Sequence, residues 1–395
     1  MNALRQPAYV EPEPTAQPAP AGAHPALRFA WYAILFVLLL AGGYAIILRM
    51  MNGLTTTNLT SITPWGAWVA FYIYFVGLSA GAFLLSSMVY VFGMTRFEKV
   101  GRMALLTALV SMIVALTFIA LDLGRMDRAL IPVLRFNWLS PLAWEVRFYV
   151  IYILLLAAEL VFAVKGNQKW LAILGTIGIP IAIFGVHGGT GAIFAVVKAR
   201  GLWFGPLAPV LFIVSALVSG TALLTLFYAV RQRARNLPVD SGLVSDLGRL
   251  LAAFLLVDLG LIFYEFLVPA LAMSPHEGEV IHTMTAGPYA WSFWILQLGL
   301  GMIAPAIILL SKLRQSWVMT ALAAALVVVG IVGVRFNIVV PALIPPVLPG
   351  LPAGQYFPSA IEWLSSAGVI AMGLLIFSLA AERLPLDSEG GTEHV

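Results

Sequence analysis

Apolar runs of about eighteen residues or more recur from one end of this chain to the other, interrupted by little besides glycine and proline. That length is what an α-helix needs to cross the ~30 Å hydrocarbon core of a bilayer. In hydrocarbon the backbone N–H and C=O groups must be paired within the segment, so runs this long and continuous read as helices. Hydrophobic residues make up 61% of the chain and charged residues 10%, against about 25% charged in a typical soluble domain. A single water-soluble core is excluded, because its surface would have to bury more apolar area than its volume allows. The sequence therefore predicts an all-α polytopic membrane protein.

Reading the apolar windows between charges, prolines and glycines gives ten spans, at 28–48, 66–92, 103–124, 143–165, 170–197, 207–230, 249–272, 289–310, 317–340 and 361–381. Pro180 and a glycine-rich stretch interrupt the fifth, and Arg335 and Pro341 lie near the end of the ninth. An even number of spans puts both termini on one side. That side collects Arg96, Lys99, Arg102, Lys165, Lys169, Arg231, Arg233, Arg235, Arg249, Lys312, Arg314 and Arg383, more basic residues than the opposite loops hold. By the positive-inside rule both termini are expected in the cytoplasm of a bacterial inner membrane, with 125–142 and 273–288 facing outward. Residues 1–27, rich in Pro, Ala and Glu, read as a disordered cytoplasmic tail. The first span has no small-residue cleavage site after it and reads as a retained helix.

An ionisable group at the centre of a membrane helix costs roughly 2.5–3.5 kcal/mol, so each one needs a reason. Most of them sort to one level, toward the outer ends of their spans: Asp122, Glu145 with Arg147, His187, Glu265, and Arg335 with Asn337. Trp65 and Trp68 open the second span at that level. Glu145, Tyr149 and Tyr152 fall at i, i+4 and i+7 and share a helix face, which Glu159 extends inward. Tyr44 and Tyr74 are candidates to add hydroxyls, and Asp258 and Glu265 form a second stripe in span seven. Simpler readings stand beside these. Asp122 can pair with Arg125, Glu145 with Arg147 or Arg135, Asp258 and Glu265 can join helices, and Arg335 can snorkel to the interface. His187 sits among Gly188, Gly189 and Gly191, which permit a broken helix and close backbone approach, the usual way to make room for a ligand in a membrane.

Absences narrow the chemistry. With no cysteine the chain holds no thiolate-bound iron–sulfur cluster, so any cluster belongs to a partner. Only His187 among the histidines lies in a span, which argues against a transmembrane haem, and no metal site is expected. The glycines of span five follow no strand, so they are not a dinucleotide fingerprint. A net charge of +4, spread over loops, gives no case for nucleic acid.

The segments 64–87 (PWGAWVAFYIYFVGLSAGAFLLSS), 122–128 (DLGRMDR), 136–152 (FNWLSPLAWEVRFYVIY), 187–194 (HGGTGAIF) and 215–224 (SALVSGTALL) resemble, in order and spacing, the NrfD/PsrC (polysulfide reductase) family of membrane subunits, in its ten-span branch. That resemblance implies two four-helix bundles side by side with two peripheral helices. The first helix and its loop would occupy 28–63, the bundle with the quinone site 64–200, the second bundle 201–345, and the last helix and tail 346–395. It implies exchange of electrons between membrane menaquinone or ubiquinone and a ferredoxin-like iron–sulfur subunit on the outer face, with a molybdopterin, multihaem or hydrogenase-type catalytic subunit beyond it. Carried over to this chain, the resemblance gives Trp65 and Gly66 as the opening of the quinone-side helix, Asp122 as a head-group or proton-exchange carboxylate, Glu145 as its neighbour across the pocket, and His187 as a candidate hydrogen-bond donor to a quinone oxygen. From the helical spacing itself, Tyr149 and Tyr152 are expected to line that site, and Glu159, Asp258 and Glu265 are candidates to extend a proton path. A secondary transporter with broken helices and an anchor without quinone chemistry are the rival expectations.

Overall fold

The computed structural model describes residues 25–135 and 137–386. Among them ten helices are long and apolar enough to cross a membrane: α1 (Pro25–Thr56), α2 (Ala67–Tyr90), α3 (Thr95–Asp122), α4 (Pro141–Val164), α5 (Gln168–Ala195), α6 (Leu207–Ala234), α7 (Ser241–Leu271), α8 (Ser292–Leu310), α9 (Trp317–Leu343) and α10 (Ala360–Arg383). No described residue is in a strand. The expected N-terminal tail lies outside the described residues up to position 24, and Pro25 already belongs to α1. The C-terminal tail from 387 onward also lies outside them.

Each helix falls where an apolar window predicts it, but α3 and α7 begin earlier than expected, at Thr95 and Ser241. Hydropathy stops at charge, whereas a helix continues wherever its ends are capped. Asp240 caps α7 by accepting a 3.1 Å hydrogen bond from the Leu243 N–H. The same carboxylate accepts from Lys99 Nζ at 2.6 Å, and that ammonium holds it below the usual carboxylate range. Together with the Arg96–Asp246 pair, this contact clips the start of α3 to the start of α7 on the side of the chain ends.

The centre of the protein is α2, 89% buried along its most apolar stretch, whereas α1 is 17% buried. α2 packs against α3, α5, α6 and α9, while α1 leans on α10 and α10 on α3. One apolar cluster runs through α2 to α5 and beyond; a second fills the space among α6, α7, α8 and α9 and takes in Tyr74 and Leu78 of α2. Lipid is as apolar as leucine, so close packing must supply what the hydrophobic effect cannot. Glycines meet glycines where helices cross. A Cβ on Gly81 of α2 would lie 1.9 Å from the Ala216 carbonyl oxygen of α6, and one on Gly42 of α1 would lie 2.3 Å from Gly368 Cα of α10.

Two spans contain π-helical turns. In α5, after Pro180, residues Ile181–His187 wind with one residue too many per turn. The Gly188 N–H donates to the Ile183 carbonyl five residues back, and a Cβ on Gly188 would lie 2.4 Å from that oxygen. The glycines after the histidine therefore do not break the helix; they let it widen. In α8, Ser292–Ile303 does the same ahead of Pro305, and hydropathy gave no hint of it.

Candidate functional site

The α4 stripe is buried and bonded. Glu145 is 1% exposed and its Oε1 accepts from the Tyr149 hydroxyl at 2.6 Å. Tyr149 meets the Tyr72 hydroxyl of α2 at 2.6 Å and Thr190 Oγ1 of α5 at 2.9 Å. Three helices thus contribute to one hydrogen-bonded chain ending on a carboxylate. Each hydroxyl in it has one proton and two lone pairs. When Glu145 is ionised, Tyr149 donates to it and Tyr72 donates to Tyr149; when it is protonated, the direction of the chain can reverse. Glu145 Oε2 has no partner. Arg147, a rival partner by sequence, instead donates to the Val133 carbonyl at 2.6 Å.

Tyr152 lies further along the stripe and is occupied otherwise, donating to the Ser79 carbonyl at 3.2 Å beside the Phe83 ring. Glu159 is 2% exposed with Oε1 unpaired. Glu145 and Glu159 are fourteen positions apart, about 21 Å along a helix, so the stripe does not form one continuous hydrogen-bonded wire.

The π-turn places His187 where α2, α6 and α9 converge. Its ring centroid is 5.5 Å from that of Phe212, and Arg335 Cζ stands 5.2 Å from the same ring. Gly77 makes the convergence possible, since a Cβ there would come within 3.1 Å of Arg335 Nη2 and 3.2 Å of His187 Cε1. Neither imidazole nitrogen has a hydrogen-bond partner of normal geometry. Arg335 is 1% exposed, so it does not snorkel; it donates to Ser215 Oγ at 3.1 Å, leaving Nε and Nη1 unpaired.

Beyond Arg335 lies a cavity among α6, α7, α8 and α9, with about 50 Å³ open to water-sized occupants. Asp258, Glu265, Ser215, Gln297, Arg335 and Asn337 line it between aromatic walls that include Phe212 and Trp203. Asn337 Nδ2 donates to Gln297 Oε1 at 2.8 Å, while both oxygens of Asp258 are buried without a partner.

Asp122 is not in either group. Half-buried at the end of α3, it has Arg49 and Glu362 as its charged neighbours, not Arg125, which pairs with Asp127 at 2.8 Å. Arg49 donates to the Leu121 carbonyl at 2.9 Å, closing the end of the helix. Glu362 is fully buried and accepts from the backbone N–H groups of Asn58 at 3.1 Å and Ser359 at 2.9 Å, and from the Tyr356 hydroxyl. That hydroxyl in turn accepts from the Ala67 N–H at 2.7 Å. Burial, then the neighbouring Glu362 carboxylate, push the Tyr356 phenol above its usual value. Gly66 belongs to this cluster, because a Cβ there would lie 2.2 Å from Tyr356 Cζ. Trp65 stacks on Trp203 at 5.5 Å, and Trp68 donates to Ser365 at 3.0 Å. Tyr44, 62% exposed, joins no cluster, because its face of α1 has no protein beside it. We expect Tyr356→Phe to cost about 1–3 kcal/mol by stranding a buried N–H and a carboxylate oxygen, measured as a fall in the midpoint of detergent-induced unfolding.

The structure thus brings together Glu145, Tyr149, Tyr72 and Thr190, and separately His187 with Arg335, Asp258 and Glu265 around Phe212 and the cavity; Trp65 backs the cavity wall through Trp203, and Asp122 and Gly66 stand apart. Several contributors escaped the sequence reading. Thr190 lies inside the HGGTG segment and Tyr72 one turn after Trp68, so both carried a positional signal. Ser359 and Glu362 form a capping box, legible as Ser-x-x-Glu. Phe212, Ser215 and Gln297 carry no signal, because nothing local marks an ordinary membrane-helix residue as facing a neighbour's charge.

Ten packed apolar helices with buried, cross-linked protonatable side chains define a polytopic membrane protein whose interior carries polar chemistry. The chain belongs to the polysulphide reductase, NrfD family, whose model matches residues 53–346. It is 36% identical to a selenate reductase subunit of Mesobacillus selenatarsenatis over 93% of this chain and 96% of that protein. It is 31% identical to the Hdr-like menaquinol oxidoreductase integral membrane subunit of Archaeoglobus fulgidus, over 93% and 95%. To the menaquinone reductase integral membrane subunit of Nitratidesulfovibrio vulgaris the identity is 25%, over 90% and 91%.

Proposed function

We propose that this chain is the quinone-interacting membrane subunit of a multisubunit oxidoreductase, exchanging electrons between the quinone pool and a partner iron–sulfur subunit. Two relatives whose names specify menaquinol and menaquinone support the reading. The observation that carries it is the chain from Glu145 through Tyr149 to Tyr72 and Thr190, on three helices and sealed from water, with an unpaired carboxylate oxygen at its end.

The residues fit a quinone head group, because the unpaired atoms are of the right kind. A quinone supplies a two-electron, two-proton couple when bound. His187, with both ring nitrogens unsatisfied, would hold a carbonyl or hydroxyl oxygen through a hydrogen bond of about 3 Å. Glu145 accepts or returns a proton, and the tyrosine and threonine hydroxyls reorient to follow its charge. Tyr152 braces α4 against α2, and Trp65 with Gly66 fixes the entry of α2. Asp122 serves as the exchange group toward the outer surface, where Arg49 keeps its carboxylate tolerable. Following the distribution of basic residues, both chain ends face the cytoplasm and the iron–sulfur partner docks on the opposite loops, with a molybdopterin, multihaem or hydrogenase-type subunit beyond it. A second element, favoured by the cavity around Asp258 and Glu265, is proton movement through the α6–α9 half, with Glu159 on the cytoplasmic side.

The test is made on the assembled complex in its native membrane. Adding a short-chain quinol or quinone changes the redox state of the partner's cluster, followed by electron paramagnetic resonance. An intact complex whose cluster ignores both additions overturns the reading.

A further inference from the structure

The cavity beside Asp258 poses a problem of electrostatics that the quinone reading leaves unanswered. Asp258 and Arg335 are each 1% exposed, line the same space and act on each other electrostatically. They nevertheless make no direct pair: both carboxylate oxygens and the Nε and Nη1 of the guanidinium lack partners. A carboxyl group, protonated or not, and a guanidinium buried this deeply and left unpartnered across a dry gap would be a costly arrangement for a helix bundle. The space they share is walled mostly by apolar side chains but has these charged groups facing into it, and it amounts to about 50 Å³, room for roughly three to five water molecules at about 10–15 Å³ each. Ser215, Gln297 and Asn337 add hydroxyl and amide groups to its lining. Val280 and Met284, on the short helix Pro275–Thr285, also line the space.

Arg335 also faces the other way. Its Nη2 and the His187 ring flank the bare Cα of Gly77, and the two cationic or protonatable groups share the Phe212 ring. His187 senses Arg335, and Asp258 senses Arg335 and is itself felt by Glu265. One guanidinium thus stands between the imidazole on α5 and the carboxylate on α7.

We propose that ordered water in this cavity bridges Asp258 to Arg335, and that Arg335 is a positioning residue through which a change of charge at the His187 site alters the protonation of Asp258. The second half of this rests on the quinone reading; the first does not. When the His187 site becomes more positive, the guanidinium is repelled toward the cavity and stabilises the Asp258 carboxylate, which releases a proton to the bridging water. When that charge is withdrawn, Arg335 relaxes toward Gly77 and Asp258 takes the proton back. Glu265, two turns along α7 on the same cavity wall, is the next acceptor in line. The arrangement moves protons without placing any of these groups in contact with the redox molecule.

Two measurements on the assembled complex test it. A high-resolution density map shows ordered water between Asp258 and Arg335; a direct salt bridge with no water between them overturns the bridge whatever the quinone result. Redox-difference infrared spectra, recorded while quinol reduces the complex, show a carboxyl band that disappears in Asp258→Asn. The band persists in Arg335→Lys, which keeps the charge, and is lost in Arg335→Gln. If Arg335→Gln does not assemble, Ser215→Ala, which removes only the hydroxyl Arg335 donates to, must shift the band. A band insensitive to these changes while electron transfer from quinol proceeds overturns the coupling alone, whereas absence of quinol-dependent electron transfer in wild type overturns the quinone reading and the coupling together.

Discussion

Glu145→Gln lowers quinone-coupled turnover of the assembled complex by about 10²–10⁴-fold, the range for losing a general acid–base group. Glutamine has the same shape and still offers a carbonyl oxygen to the Tyr149 hydroxyl, which now donates at 2.6 Å. The packing of α4 against α2 and α5 is therefore retained, and the amount of complex in the membrane stays at its wild-type level. What disappears is the exchangeable proton, and with it the reversal of the Tyr149–Tyr72 bond that follows the charge on Glu145. Tyr72→Phe removes the donor at the far end of the chain, 2.6 Å from Tyr149, but spares the carboxylate, so its effect is smaller than that of Glu145→Gln. Turnover per assembled complex, measured with a soluble quinol analogue, checks the order of the two. Glu145→Gln turning over within a few-fold of wild type would remove the carboxylate from the mechanism.

The ten spans were legible because lipid imposes a single requirement on every residue of a span, and hydropathy measures that requirement directly. Helix ends were less so, since Asp240 capping α7 and the Arg96–Asp246 pair extend helices past the last apolar residue. Within α4, helical periodicity alone put Glu145 and Tyr149 on one face, and the structure joins them. Depth is a weaker guide than face. Asp122 and Glu145 both sit near the end of a span, yet Asp122 turns toward Arg49 and Glu362 and Glu145 toward Tyr149. Two residues at one level in the membrane can still be separated by a helix, and only packing decides which side each one faces. Arg335 illustrates the converse. An arginine near a span end reads as a snorkelling cation, and it is buried because Gly77 leaves room for it beside His187, a fact held in a glycine on another helix.

Gly220→Ala prevents the protein from accumulating in folded form. A Cβ on Gly220 would lie 2.3 Å from the Gly81 carbonyl carbon and 2.5 Å from the Ala82 nitrogen. Both obstacles are backbone, so no side chain can swing aside, and α2 and α6 must move apart. Overpacking typically costs about 1–3 kcal/mol and more where nothing can yield, a large part of a marginal stability of about 5–15 kcal/mol. Gly260→Ala in α7, with open space around its Cβ, is the matched control and folds as wild type. Folded yield after detergent extraction, read by gel filtration, compares the two, and equal yields would show that the α2–α6 crossing is looser than its geometry implies. Any variant of Gly220 that does assemble must carry a functional defect as well. Gly77 lies one turn from Gly81 on α2, and Phe212 and Ser215 lie two turns and just over one turn before Gly220 on α6. Widening this crossing draws Phe212 and Ser215 away from His187 and leaves Arg335 without its Ser215 contact, so quinone-coupled turnover per folded complex falls along with the yield.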